Sequence, residues 1–274
     1  MLVIPAIELK SDRCVRTISL ASNDGVVYSD DPGQMALLWR RENARTLHIL
    51  DRDGLYEGTG INHDAILEVV ATVEIPVQLV SSFADIAECE MWLAAGVYRL
   101  FLHDLVLRDP TGVRSLVERF GPSRICLGAI TSGGRTSHPW HTETQSMETL
   151  EFTGRAKELG INRFFFTDLD YEGGMHGPNF AELERLATLT GMHVTAAGGV
   201  ATVEHLWRLQ EMEQFGIDSV VIGRAFYENS FPCQQLWRDI EAERRQAGKD
   251  WADAVSTSSL RSGQGRPPGP TSGA

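Results

Sequence analysis

Two stretches of this chain repeat one design. Leu50-Asp51-Arg52-Asp53-Gly54 continues to Gly58, Gly60 and Asn62, and Thr167-Asp168-Leu169-Asp170 continues through Gly173, Gly174 and Gly177 to Asn179. Asp51 and Asp168, Asp53 and Asp170, and Asn62 and Asn179 are each separated by 117 residues. Three polar matches at one offset are hard to obtain by chance, so the chain reads as two copies of a half-domain. In each copy the aspartates sit where an apolar run emerges into a glycine-rich loop. Asn179 then reads as the N-cap of a helix.

The remaining pattern agrees with this. Short apolar runs alternate with helical patterns almost throughout, which points to parallel strand–helix–strand units. Strands are predicted at 2–8, 45–51, 77–80, 98–102, 125–130, 163–167, 193–197 and 219–222, with helical runs such as 35–39, 65–70 and 183–189 between them. Eight such units predict one α/β domain over residues 1–247, a closed (β/α)8 (TIM) barrel built from two half-barrel repeats. A doubly wound open sheet is the rival. The repeat favours the barrel, because two four-unit halves can close on each other. The length of 274 residues suits a barrel of about 250 residues. Residues 23–31 read as a polar loop, and Asp31-Pro32 as the start of the first helix. Residues 248–274 form a C-terminal extension, rich in Ser, Gly and Pro from Ser256 and expected to be disordered.

A formal charge of −12 argues against nucleic acid or an anionic membrane as partner. Any anionic substrate, such as a small phosphorylated one, must then be held by local backbone and arginine groups. Cys14, Cys89, Cys126 and Cys233 are widely spaced, which favours reduced, buried thiols over disulfides or zinc. No apolar stretch approaches ~18 residues and no signal peptide precedes the first strand. The expectation is a soluble cytoplasmic protein.

Barrels of this kind carry their reactive groups at the C-terminal strand ends. Those positions read Glu8, Asp51, Ser81-Ser82, His103-Asp104, Ile130-Thr131, Thr167-Asp168, Gly198-Gly199 and Gly223-Arg224. Gly198, Gly199, Gly223 and Arg224, with Gly177 from the preceding loop, are the predicted phosphate site, since glycines let backbone N–H groups approach an anion. Turns use glycine pairs everywhere, but two such sites at the right strand ends favour phosphate. Asp168 is the best acid of the second half. Asp51 either meets substrate or orients a network at the barrel mouth, and His48 is either functional or a satisfied core histidine. His176 and Tyr171 read as solvated, and Trp39, Trp92, Trp207 and Trp237 as helix packing.

Taken together, Val3-Ile4-Pro5-Ala6-Ile7-Glu8-Leu9, Tyr28-Ser29-Asp30-Asp31-Pro32, Leu47-His48-Ile49-Leu50-Asp51, Thr167-Asp168, Gly198-Gly199 and Gly223-Arg224-Ala225 resemble the histidine-biosynthesis barrel family over residues 1–246. The similarity is to its phosphoribosylformimino-aminoimidazole-carboxamide ribotide isomerases, with the cyclases of imidazole glycerol phosphate synthesis as the sister branch. The resemblance implies an Amadori rearrangement of an aminoaldose to an aminoketose, without metal or cofactor. An acid helps open the ribose ring and a base moves a proton from C2. It also implies carboxylates at the ends of the first and fifth strands. Glu8 stands where the family has Asp, and Ile130 stands at the second position, where an alkyl group cannot transfer a proton. The family's glycine cradle after strands three and four is replaced by Val80-Ser81-Ser82 and His103-Asp104, and Asp104 would repel a dianion. Trp140 and Glu143 match the loop after strand five, and Gly133-Gly134-Arg135 offer a different anion contact. The catalytic set expected is therefore Glu8 and Asp168, with Thr167, His48 and Asp51 around them. Three readings stay open: an isomerase of the histidine type, a paralogue acting on a monophosphate (for example in pterin cofactor synthesis), and a catalytically silent phosphate-binding subunit.

Overall fold

Side chains alternate between the two faces of a strand, and here that alternation divides the core in two. In the computed structural model, which describes residues 1–17, 25–58, 60–137 and 146–231, eight parallel strands pair in chain order. They are Leu2–Lys10, Leu47–Asp51, Val77–Val80, Arg99–Leu102, Ile125–Ser132, Arg163–Asp168, His193–Ala197 and Ile217–Ile222. The eighth pairs with the first, from Leu2↔Ser219 to Pro5↔Ile222, so the sheet closes into the barrel and the open-sheet rival is excluded. Helices separate the strands, among them Pro32–Arg41, His63–Thr72 and Phe180–Thr190.

The barrel interior holds Ile4, Ala6, Leu50, Val80, Phe101, Cys126, Ile130, Phe165, Ala197 and Val221. The outer layer packs Ile7, Leu9, Leu47, Ile49, Phe164 and Phe166 against helix residues such as Met35, Trp39, Ile66 and Val69. Strand phase therefore decides which residues face the mouth. Ile4 and Ala6 point inward, so Glu8 does too. On the second strand Leu50 and His48 share the inward phase and Asp51 does not. On the sixth, Phe165 and Thr167 share it and Asp168 does not.

Local signals fix the helix ends. Asp31 caps Pro32–Arg41 by accepting from the Gln34 amide at 2.8 Å, with proline in the first turn. Asn179 caps Phe180–Thr190 through the Glu182 amide at 3.2 Å, and that helix stops at Gly191 in the left-handed conformation.

Some expectations need correction. The polar loop of 23–31 contains a strand, Gly25–Ser29, antiparallel to Arg13–Thr17, which itself pairs back onto the first barrel strand. Polar neighbours hid the β-favouring triplet Val26-Val27-Tyr28. That pairing carries the first strand past Glu8 to Lys10. Likewise Arg135–Thr136 folds back on the fifth strand, which continues past Ile130 to Ser132. Trp39 and Trp92 are buried, but Trp207 is 61% exposed on its helix. Cys14, Cys89 and Cys126 are free and buried, and burial pushes their thiols up, that of Cys126 to about 11. No helix among the described residues is long and apolar enough to cross a membrane. Trp140, Glu143, Cys233, Trp237, the boundary at 247 and the 248–274 extension lie outside the described residues.

Candidate active site

The C-terminal mouth of the barrel opens into a cleft of about 690 Å³, its open mouth included. Ala6, Glu8, His48, Leu50, Phe165, Thr167, Ala197, Val221 and Gly223 line it from the strands. Thr17 joins from the hairpin, and Glu172, Gly173 and Met175 from the loop after the sixth strand. Gly198-Gly199-Val200 and Arg224-Ala225 complete the wall.

Glu8 is the carboxylate that strand phase delivers to this wall. The Thr17 hydroxyl donates to its Oε2, and Arg52 Nη1 lies 3.6 Å from the same oxygen. Burial raises its pKa, while Arg52, Thr17 and Arg16 pull in the opposite direction. The other oxygen, Oε1, lies 3.6 Å from where a β-carbon on Gly223 would sit. The Glu8 carboxyl and the glycine rim are thus direct neighbours.

His48 is on the wall but is neutral. Burial lowers its pKa to about 3. Arg99 donates to the Gln78 side-chain oxygen at 3.2 Å, which turns the Gln78 amide nitrogen toward His48 Nδ1 at 2.9 Å. Nδ1 therefore accepts and Nε2 keeps the proton. The ring stacks on Phe165 at 5.0 Å. The ring thus presents a neutral polar surface to the cleft.

Asp51 and Asp168, both expected in the catalytic set, do not line the cleft, because each falls one residue out of the inward phase. Asp51 accepts from the Gly54 amide at 2.9 Å, Asn62 Nδ2 at 2.7 Å and Ser81 Oγ at 2.8 Å. It caps the helix Arg52–Glu57 and ties two loops together. Asp168 accepts from Asn179 Nδ2 at 2.8 Å and from the Asp170 amide at 3.1 Å. The same asparagine-to-aspartate bond thus occurs after the second and the sixth strand, anchoring the loop to the strand each time. Of the sixth-strand pair, Thr167 reaches the cleft.

The glycine rim divides by role. Gly198 and Gly199 have φ of 83° and 71°, a conformation that side chains resist. A β-carbon on Gly199 would lie 2.3 Å from the Gly177 carbonyl oxygen. Gly177, predicted to bind phosphate, does not line the cleft; its amide donates to the Gly199 carbonyl at 2.8 Å and so holds that turn from behind. Arg224 is on the wall, with Nη1 on the Gly173 carbonyl and Nε on Glu228, both at 2.7 Å. Arg16 pairs with the same Glu228 carboxylate.

The corresponding first-half positions are filled. Ser81 is bonded to Asp51, the buried His103 ring contacts the Gly128 carbonyl, and Asp104 pairs with Arg108. Ile130 is 1% exposed within the inner core. The Gly133-Gly134-Arg135 contact is taken internally: the Gly133 amide donates to Asp170 at 2.8 Å, and Arg135 pairs with Glu148. Tyr171 and His176 are exposed, as expected.

Sequence reading missed Thr17, Arg52 and Glu172. Arg52 stands between two aspartates in the sequence, and its total burial is a tertiary property. Glu172 follows Asp168 and Asp170 in a loop, and nothing in its spacing marks it as the one that reaches the cleft.

A family model described as "Histidine biosynthesis protein" matches residues 2–232. A relative from Prosthecochloris aestuarii is 39% identical over 241 residues, covering 88% of this chain and 92% of its own length. One from Chlorobium phaeobacteroides is 37% identical over 241 residues (88% and 93%), and one from Chlorobaculum parvum is 35% identical over 243 residues (89% and 94%). All three are named 1-(5-phosphoribosyl)-5-((5-phosphoribosylamino)methylideneamino) imidazole-4-carboxamide isomerase.

Proposed function

The chain belongs to the histidine biosynthesis protein family, and on that premise we propose that it is an aminoaldose–aminoketose isomerase whose substrate is anchored by one phosphate. The observation that carries this reading is the adjacency of Glu8 Oε1 to the Gly223 rim. A phosphate held against Gly198-Gly199 and Gly223-Arg224 brings the sugar attached to it beside the inward-facing carboxyl. The isomerase name of the relatives supplies the reaction class, which comes to this chain as part of the proposal.

With Ile130 at the fifth strand, one carboxyl performs both transfers in turn. Protonated Glu8 gives its proton to the ring oxygen as the C1–O bond breaks, and the nitrogen lone pair forms the iminium. The Glu8 carboxylate then removes the C2 proton, giving the enaminol and regenerating the acid. Ketonisation follows as a proton leaves the 2-hydroxyl and one reaches C1. A raised pKa suits a group that must begin protonated. Thr167 and neutral His48 offer hydrogen bonds to the sugar hydroxyls, and Asp51 and Asp168 keep their loops in place.

The test is turnover of an aminoaldose monophosphate by the wild type and by Glu8→Gln. Loss of a general acid–base costs about 10²–10⁴-fold, and a fall of that order in kcat is expected. Equal turnover by the two proteins would remove Glu8 from the mechanism.

A further inference from the structure

The cation paired with Glu8 is one that the cleft does not expose. Arg52 is fully buried, at the start of the helix Arg52–Glu57 that follows the second strand. Its Nη1 donates to Thr17 Oγ1 at 3.1 Å and lies 3.6 Å from Glu8 Oε2. Its Nη2 donates to Tyr56 Oη at 3.4 Å, and the guanidinium lies 5.1 Å from the Tyr56 ring centre.

A hydroxyl has one proton to give. Thr17 Oγ1 accepts from Arg52, so its own proton goes to Glu8 Oε2. That direction is imposed, because arginine can only donate. Oε2 is therefore engaged from behind, and Oε1, the oxygen beside Gly223, is the one presented to the cleft.

We propose that Arg52 is a positioning residue for Glu8, acting directly and through Thr17 to present Oε1 to the substrate and to steady the carboxylate after it has given up its proton. This rests on the isomerase reading for its purpose, but the arrangement is a property of the protein alone. The other titratable or charged groups around Glu8 are Arg16 on the hairpin, Tyr56 beside Arg52, Tyr227 from the helix Arg224–Tyr227, and His48, Glu172 and Arg224 on the cleft wall. Of these only Arg52 combines total burial, a shared oxygen with Thr17 and a planar donor fork.

The experiment is a carboxyl-¹³C titration of Glu8, its resonance assigned by loss in Glu8→Gln, in the wild type, Arg52→Met, Arg52→Lys and Thr17→Val. The Glu8 midpoint should rise in Arg52→Met and in Thr17→Val, and return toward the wild-type value in Arg52→Lys. In the same variants kcat for an aminoaldose monophosphate should fall about tenfold or more with KM little changed. Should Arg52→Met not fold, Thr17→Val carries the test, since it removes the hydroxyl and keeps the shape. A wild-type midpoint in Thr17→Val and in whichever arginine variants fold would overturn the proposal, whatever happened to kcat. If the wild type turns over no aminoaldose but the midpoints move as stated, the isomerase reading fails and the Arg52–Glu8 coupling stands.

Discussion

Glu8 is an inward-facing carboxyl with a buried arginine behind it and a glycine in front, and its ionisation sets the pH behaviour of the site. Its pKa in the folded protein is raised, chiefly by burial, so the native state holds this proton more tightly than the unfolded chain does. The associated stability is fully present below the ordinary carboxyl range and is lost as pH rises through the raised value. Glu8→Gln, which cannot ionise, should show a flatter dependence of melting temperature on pH across that window; an unchanged slope would contradict the raised value. Turnover should follow the same limb, with kcat/KM falling as pH rises through the Glu8 midpoint, because the proposed reaction starts from the acid form. His48 adds no second limb, since it is already neutral above about pH 3. His48→Asn should lower the rate without moving the midpoint, and a displaced midpoint would show that His48 titrates in the working range.

At the scale of elements, the strands were legible in the sequence and their phase was not. The eight strands, the Asp31 and Asn179 caps and the paired aspartates could be read from apolar runs and punctuation. Whether Asp168 or Thr167 faces inward depends on a single-residue register, which only the closed sheet fixes. The hairpin of Arg13–Thr17 and Gly25–Ser29 was obscured because its apolar residues are few and polar residues flank them. Thr17 went unnoticed with it, and so did the relay to Glu8. The structural role of Asp51 makes a prediction of its own. Asp51→Ala leaves the Gly54 amide, Asn62 and Ser81 without this acceptor, and a buried unmet donor costs about 1–3 kcal/mol. Denaturant unfolding should show a loss of that order, while kcat per folded molecule changes less than about tenfold. A large kcat loss at unchanged stability would return Asp51 to the catalytic set. Ile130→Asp tests the fifth strand in the same way. A carboxyl among Phe101, Cys126 and Phe165 favours its neutral form. The variant should lose stability as pH rises and gain no turnover.

Across the whole molecule, one half of the barrel mouth has kept open backbone and the other has filled with side chains. Gly199 and Gly223 separate folding from binding on the open half. Gly199→Ala meets the Gly177 carbonyl at 2.3 Å and should destabilise the loop, whereas a methyl at Gly223 has its nearest neighbours, Glu8 Oε1 and Ala6 Cβ, at 3.6 and 3.8 Å. Gly223→Ala should therefore fold normally and raise KM for a phosphorylated substrate about tenfold or more; an unchanged KM would move the phosphate elsewhere. On the filled half, Ser81, His103 and Asp104 are committed to internal partners. A second phosphate is therefore not expected to find free donors there. The comparison that tests this most directly is kcat/KM for two aminoaldoses that differ only in carrying one phosphate or two. The account predicts clear preference for the monophosphate and little turnover of the compound with two. Preference for the two-phosphate compound would contradict it.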